Sequence, residues 1–298
     1  MKDKIKSGFV TICGRPNVGK STLLNSLIGE KVAIVSHRPQ TTRNSIRAVL
    51  NTDSAQIVFI DTPGLIRPRN KLNEYMVKSV DSALKDTDIV LLMVDGTEKI
   101  SGTEKELIER FNKKKQNVIL VINKTDIANK GKLANLILQY SELSEFKAVV
   151  PVSALKKDGI DILKKEIDKL LDYGPVYFPD NMITDQPDKQ IVSEIVREKA
   201  LKSLNDEVPH GIAVEIEEFK ERDNADILDI SVIIYCEKDT HKGIVIGKNG
   251  SMLKIIATRA REDMENFFGC KVNLRCWVKV KSDWRNDGSV LKNFGYEL

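Results

Sequence analysis

Two short runs in this 298-residue chain carry residue types whose order suits nucleotide chemistry. Gly14-Arg15-Pro16-Asn17-Val18-Gly19-Lys20-Ser21 has the G-x-x-x-x-G-K-S pattern of a loop that wraps phosphates. Gly14 and Gly19 let the backbone curl so that successive N–H groups converge on phosphate oxygens, and the N-terminus of the following helix adds partial positive charge. Lys20 is placed to reach the β- and γ-phosphates, and the Ser21 hydroxyl to hold Mg2+. The second run is Asn123-Lys124-Thr125-Asp126. A carboxylate at Asp126 can accept from both the ring N–H and the exocyclic amine of guanine. Adenine has no such donor pair and would leave the acid desolvated and unpaired. Asn123 is expected to tie this loop to the phosphate loop, and the Lys124 stem to cover the base. The two runs together predict a chain that binds GTP and splits it.

Two further runs lie in matching order. In Asp61-Thr62-Pro63-Gly64, Asp61 is expected to bind Mg2+, mostly through water, and the Gly64 N–H to approach the γ-phosphate where no side chain intervenes. In Ser153-Ala154-Leu155-Lys156, backbone N–H groups are placed to meet the guanine O6. Between them and the phosphate loop, Pro39-Gln40-Thr41-Thr42-Arg43 offers a threonine that can close over Mg2+ when the γ-phosphate is present. Thr42 is favoured over Thr41, although spacing leaves both open.

These runs need a scaffold, and the flanks supply one. Gly8–Cys13, Ile57–Ile60 and Val118–Ile122 are apolar and rich in β-branched residues, as interior strands are. Each ends where a chemical run begins, and ligands of open parallel sheets bind at the carboxyl ends of the strands. Helical patterns are expected over 71–86, 103–115, 129–141 and 159–172. Residues 1–172 therefore predict an α/β domain, a mostly parallel sheet with helices on both faces. Proline and glycine in Tyr173–Pro179 break the pattern, and 173–190 is expected as a linker.

Residues 191–298 change character. Strands are expected over 211–219 and 227–236, with Arg222-Asp223-Asn224 as their turn, then a helix over 250–267 and a strand over 271–281. Before that helix lies Gly247-Lys248-Asn249-Gly250, a G-x-x-G loop of the kind that clamps single-stranded nucleic acid in KH domains. Two glycines admit phosphates close to the backbone, and Lys248 adds charge. The alternation Trp277-Val278-Lys279-Val280-Lys281 puts both lysines on one strand face with Trp277, and Lys254 lies on the helix. A tryptophan there is expected in the core in preference to stacking on a base.

Bulk properties bound the rest. Charged residues at 30% and apolar residues at 41% are those of an ordinary globular chain of about two domains. A formal net charge of +4 is weak evidence for nucleic acid by itself. The four cysteines, Cys13, Cys236, Cys270 and Cys276, show no C-x-x-C spacing, so a reduced cytoplasmic protein without a cysteine metal site is expected. No signal peptide or membrane-spanning run is read in the sequence.

In the wording of all these runs, and in Ile246–Gly250 and Trp277–Lys281, the chain resembles the Era family of GTPases over essentially its whole length. The resemblance implies a P-loop GTPase domain followed by an α+β type II KH domain. It implies binding to the 3′ end of small-subunit ribosomal RNA, together with the nearby terminal helix, and a role in assembling the 30S subunit. A monomer is expected, and family members also touch the inner membrane face. One departure from Ras-like GTPases bears on catalysis: Leu65 stands where those proteins carry a water-orienting glutamine. In related GTPases an asparagine at the position of Asn17 helps hold K+ beside the phosphates. The catalytic group expected is thus Lys20, Asn17, Thr42 and Gly64, with slow intrinsic hydrolysis raised by K+. Two alternatives stay open: a GTP-gated RNA-binding factor with vestigial hydrolysis, and a GTPase whose KH-like domain docks on protein.

Overall fold

The structure, a computed structural model, describes residues 5–36, 38, 40–223 and 225–296. Pro39 of the threonine-bearing run, Asn224 of the expected turn, and the first four and last two residues of the expected domains lie outside the described residues. The chain forms two units. One gathers the described residues up to Pro68 with Met76–Asp185, and the other Arg69–Tyr75 with the described residues from Gln186 onward.

The first unit is built from β1 (Ile5–Gly14), α1 (Lys20–Ile28), β2 (Ile46–Asn51), β3 (Ala55–Asp61), α2 (Lys71–Ala83, from Met76), β4 (Ile89–Asp95), α3 (Gly102–Lys114), β5 (Asn117–Asn123), α4 (Lys130–Ser141), β6 (Ala148–Pro151), α5 (Ile160–Leu170) and β7 (Tyr173–Gly174). The sheet order is β2-β3-β1-β4-β5-β6, parallel from β3 to β6, with β7 antiparallel to the start of β1. Side chains of a strand alternate between faces, and each face is covered by helices. Leu91, Met93, Ile119 and Val121 pack with Leu23 and Leu27 of α1 and Leu163 and Ile167 of α5. Val90, Leu92, Leu120 and Ile122 pack with Val80 of α2, Phe111 of α3 and Tyr140 of α4.

The edge strand β2 runs antiparallel to β3, within the mostly parallel sheet that was expected. One feature departs from the sequence reading. Residues 173–185, expected as linker, are bonded to the first unit. The Val49 N–H donates to Ile183 O at 2.8 Å, Ala48 bridges Thr184, and the Thr184 hydroxyl donates to Arg47 O at 2.7 Å. The buried amide of Gln56 accepts from the N–H groups of Tyr177 at 2.7 Å and Phe178 at 3.0 Å and donates to Phe178 O at 2.8 Å.

The second unit contains α6 (Asp188–Ser203), β8 (Ala213–Glu221), β9 (Ile227–Cys236), α7 (Asp239–Ile246), α8 (Ser251–Phe268), β10 (Lys271–Val280) and α9 (Gly288–Asn293). The sheet order is β10-β9-β8, with β9 antiparallel to β8 and parallel to β10. This is the arrangement expected of a type II KH domain. Leu228, Ile230, Val232 and Ile234 of β9 pack under Val192 and Val196 of α6 and Ile256, Ala260 and Met264 of α8. On β10, Val272 and Val278 are buried while Arg275, Trp277 and Lys279 are exposed. Trp277, expected in the core, is 45% exposed. The buried tryptophan is Trp284, which donates from Nε1 to Gly211 O at 2.9 Å and packs against Phe294 and Tyr296.

Candidate functional site

A cavity of about 530 Å³ opens at the carboxyl ends of the strands of the first unit. Pro16, Asn17, Gly19, Lys20, Ser21, Thr42 and Gly64 line one part, and Asn123, Lys124 and Asp126 another. Gly14, Arg15, Val18, Asp61, Thr62, Pro63, Thr125, Ser153 and Ala154 are not part of this lining.

The loop between β1 and α1 has the shape its glycines permit. Gly14 and Gly19 hold φ of 151° and 104°, and a Cβ would lie 2.2 Å from Met93 O at the first and 2.4 Å from Asn123 Nδ2 at the second. Asn17 adopts φ of 63° and is exposed. Burial pushes the Lys20 ammonium below its ordinary pKa, against the opposing pull of Asp61 and Cys13. It donates to Arg15 O at 2.9 Å and Gly14 O at 3.2 Å, so the positive charge waits inside the curled loop. The Arg15 guanidinium turns away instead, donating to Glu104 Oε1 of α3 at 2.8 Å and to Glu98 Oε2 in the turn after β4 at 2.6 Å. It therefore offers the cavity only its main chain. Glu104 is fully buried and also closes the capping box of α3 by accepting from the Ser101 N–H at 2.6 Å.

Three oxygens meet beside Lys20. The Ser21 hydroxyl donates to Asp61 Oδ2 at 2.6 Å and lies 2.8 Å from Thr42 Oγ1, which is 3.4 Å from the same carboxylate oxygen. The Thr41 hydroxyl donates elsewhere, to Arg38 O at 2.6 Å. Burial pushes the Asp61 carboxyl up to about 6, although Lys20, the two hydroxyls and the Thr62 N–H pull it down. Its Oδ1 is buried without a hydrogen-bond partner among the described residues. A hard-oxygen set with one unsatisfied carboxylate oxygen suits Mg2+. The Thr62 hydroxyl donates to Ile12 O at 2.8 Å, and Gly64 sits where a Cβ would come 2.9 Å from Pro16.

At the other end, Asn123 joins the loops as expected. Its Nδ2 donates to Val18 O at 2.7 Å, and its Oδ1 accepts from the Ala154 N–H at 2.9 Å. The Ser153 hydroxyl donates to Asp126 Oδ1 at 2.7 Å. The N–H groups of Ser153 and Lys156, expected near guanine O6, are engaged by Asp158 O and Ser153 Oγ at 3.0 and 3.2 Å, so Ser153 acts on the site through the hydroxyl that holds Asp126. The sequence reading missed Asp95, whose Oδ2 is 2.6 Å from Lys124 Nζ. The sequence shows only that Asp95 ends an apolar run, as Asp61 ends another; its register with Asn123 comes from the fold. Among the described residues no cluster of three His, Cys, Asp or Glu side chains is placed to hold a metal.

In the second unit the Gly247–Gly250 loop joins α7 to α8. Gly247, Asn249 and Gly250 hold φ of 73°, 51° and 77°. A Cβ at Gly247 would lie 2.7 Å from Met252 Cβ, whereas Gly250 faces open space. Lys248, Asn249 and Lys254 are exposed around it. Lys279 and Lys281 are exposed at the end of β10, and Lys279 is 3.4 Å from Glu217.

A phosphate loop, a carboxylate and two hydroxyls beside its lysine, and an N-K-x-D loop at the far end define a P-loop GTPase unit. Comparisons with known proteins agree. Residues 9–124 match the family described as 50S ribosome-binding GTPase, and residues 207–285 match the KH domain. The chain is 52% identical over 292 residues to GTPase Era of Clostridioides difficile (strain 630), covering 98% of each chain. It is 51% identical to GTPase Era of Alkaliphilus metalliredigens, covering 98% of this chain and 99% of that one. Two crystal structures superpose with TM-scores of 0.95 at 42% identity over 99% of this chain and 100% of theirs. One is Era with MgGDPNP and nucleotides 1506–1542 of 16S ribosomal RNA, and the other an Aquifex aeolicus Era variant bound to GDP.AlF4-. This chain belongs to the Era family of GTPases.

Proposed function

We propose that this chain binds GTP with Mg2+ in the cavity of the first unit, hydrolyses it, and holds single-stranded small-subunit ribosomal RNA on the Gly247–Gly250 loop, assisting assembly of the 30S subunit. One observation carries the nucleotide part. The hydroxyls of Ser21 and Thr42, in the cavity whose far end carries Asp126, converge on the Asp61 carboxylate buried behind them, beside the Lys20 ammonium. In this reading Lys20 leaves its carbonyl partners for the β- and γ-phosphates, and the Gly64 N–H meets the γ-phosphate. Ser21, Thr42 and Asp61 would hold Mg2+, which neutralises charge as the phosphoryl group transfers. The carboxylate of Asp126, oriented by Ser153, selects guanine, while Asn123 keeps the base-reading and phosphate loops in register. Asp126→Asn should move preference from GTP toward xanthosine triphosphate, and an unaltered preference would refute the base assignment.

Leu65 packs against the apolar cluster of β4, α3 and β5, so orientation of the attacking water falls to another group. We assign that stabilisation to K+ held near Asn17, whose exposed side chain lines the cavity. Faster turnover in K+ than in Na+, lost in Asn17→Ala, is the expected result. Equal turnover in both salts favours the second reading, a GTP-gated binding factor, which the apolar setting of Leu65 also suits.

The RNA part is supported by the positive φ of Gly247, Asn249 and Gly250 around the exposed Lys248 and by the RNA in the related Era crystal. Crosslinking to ribosomal RNA should be lost in Gly247→Asp. Among the described residues no helix is long and apolar enough to cross a membrane. In this reading the chain works as a cytoplasmic monomer that touches the inner membrane face only peripherally.

A further inference from the structure

The base-reading loop is braced from β4. Asp95, the last residue of that strand, has a side chain only 4% exposed. Its Oδ1 accepts from the Thr97 N–H at 2.9 Å and the Thr97 hydroxyl at 2.6 Å. That turn fixes the carboxylate plane and leaves Oδ2 for the Lys124 ammonium at 2.6 Å. Next along the chain, the Gly96 N–H donates to Asn123 O at 2.8 Å, and a Cβ at Gly96 would also lie 2.8 Å from that oxygen. The two strand ends are thus drawn together at a residue without a side chain. Lys124 itself holds φ of 66°, a left-handed conformation that a lysine does not favour on its own. Burial would push the Asp95 carboxyl up, but Lys124 and the Thr97 donors outweigh it and keep the group below its ordinary pKa. The anion is therefore present at any working pH.

We propose that Asp95 is a positioning residue for base recognition: clamped by Thr97, it pins the Lys124 ammonium so that the lysine stem lies pre-formed along the cavity wall beside Asp126. The inference rests on reading this cavity as the guanine site. A flexible lysine loses rotamer freedom when it covers a ligand, and a fixed anion removes that loss before the ligand arrives. The base face is the same in GTP, in GDP and in the transition state, so the gain is uniform binding. It lowers KM and leaves kcat unchanged.

The test uses the full chain and fluorescent GDP and GTP analogues, with KM and kcat measured alongside. Asp95→Asn retains an oxygen for Thr97 and removes the charge facing Lys124. It should weaken both nucleotides by the same factor, about tenfold, with KM rising in step and kcat within about twofold. In a Lys124→Met background the same substitution should change affinity less than about twofold, because the partner it acts through is gone. Equal losses in both backgrounds, no loss in either, or a fall in kcat at constant KM would each overturn the proposal. Thr97→Val, which loosens the clamp without touching the carboxylate, should give a smaller loss that also vanishes in Lys124→Met, and it serves if Asp95→Asn does not fold. If Asp126→Asn changes base preference while Asp95→Asn is silent, this inference fails and the guanine site stands. If Asp126→Asn is silent too, the site reading fails with it.

Discussion

Asn123 and Val18 are 105 residues apart, yet the Asn123 amide donates to the Val18 carbonyl at 2.7 Å in a buried setting. The same amide accepts from the Ala154 N–H, so one side chain fixes the distance between the phosphate-wrapping and base-reading ends of the cavity. Asn123→Ala would leave a buried carbonyl and a buried N–H unpaired. The expected loss is about 2 kcal/mol of stability, with weaker binding of GTP and GDP alike. Chemical denaturation and nucleotide titration read both effects, and an unchanged midpoint with unchanged affinity would show that the strut is dispensable.

Asp61 makes the nucleotide site sensitive to pH. Its carboxyl titrates at about 6 when folded, above the ordinary 3.8, so the folded chain binds this proton more tightly than the unfolded one. The contribution is fully present below the ordinary value and is lost as pH rises through about 6. Without nucleotide and metal, the wild type should therefore lose stability relative to Asp61→Asn between about pH 4 and pH 7. Mg2+ competes with the same proton, so Mg2+-dependent nucleotide binding should weaken below pH 6. Calorimetric titrations of Mg2+ at pH 5 and 7.5 would decide it, and equal affinities at the two values would contradict the assignment.

The two glycines of the Gly247–Gly250 loop should behave differently. Gly250 holds left-handed backbone (φ 77°, ψ 8°), which costs an alanine about 1 kcal/mol, whereas Gly247 combines φ of 73° with ψ of 174°, a region that essentially only glycine enters. Only Gly247 lacks room, with Met252 Cβ 2.7 Å from the place of a new Cβ. Gly247→Ala should thus destabilise the second unit by more than Gly250→Ala and weaken RNA binding more strongly. Thermal melts of the two variants, compared with RNA affinity in the same buffer, test the order; a reversed order would mean that the loop rearranges.

Trp277 stands on the outer face of β10 between Arg275 and Lys279, which are exposed with it. An aromatic ring between cations suits a base stacked on its face, worth about 1–3 kcal/mol. Trp277→Ala should leave the melting temperature nearly unchanged and lower the affinity for a single-stranded ribosomal RNA oligonucleotide. A large drop in melting temperature with intact RNA binding would return Trp277 to a packing role.

Much of the site was legible because its chemistry restricts residue types. Gly14 and Gly19 cannot carry side chains in their conformations, and Asn123, Asp126 and Asp61 sit at strand ends that apolar runs announce. What escaped was pairing. Asp95 looks like any acid after a strand until Lys124 is folded against it. The fate of Trp277 was written in the alternation that set it beside two lysines, and the general preference of tryptophan for cores obscured it. Trp284 became the buried ring because Gly211 supplies a carbonyl for its Nε1.

The segment 183–184 lies along β2 and occupies part of that strand's open side, while Gln56 draws its amide partners from 177–178. Truncation after residue 172 would strip away both. The fragment would keep every residue of the nucleotide cavity but would present a bare ladder of amides to its neighbours, a template for intermolecular strand addition. A soluble catalytic fragment for crystallisation or spectroscopy should therefore extend through Asp185.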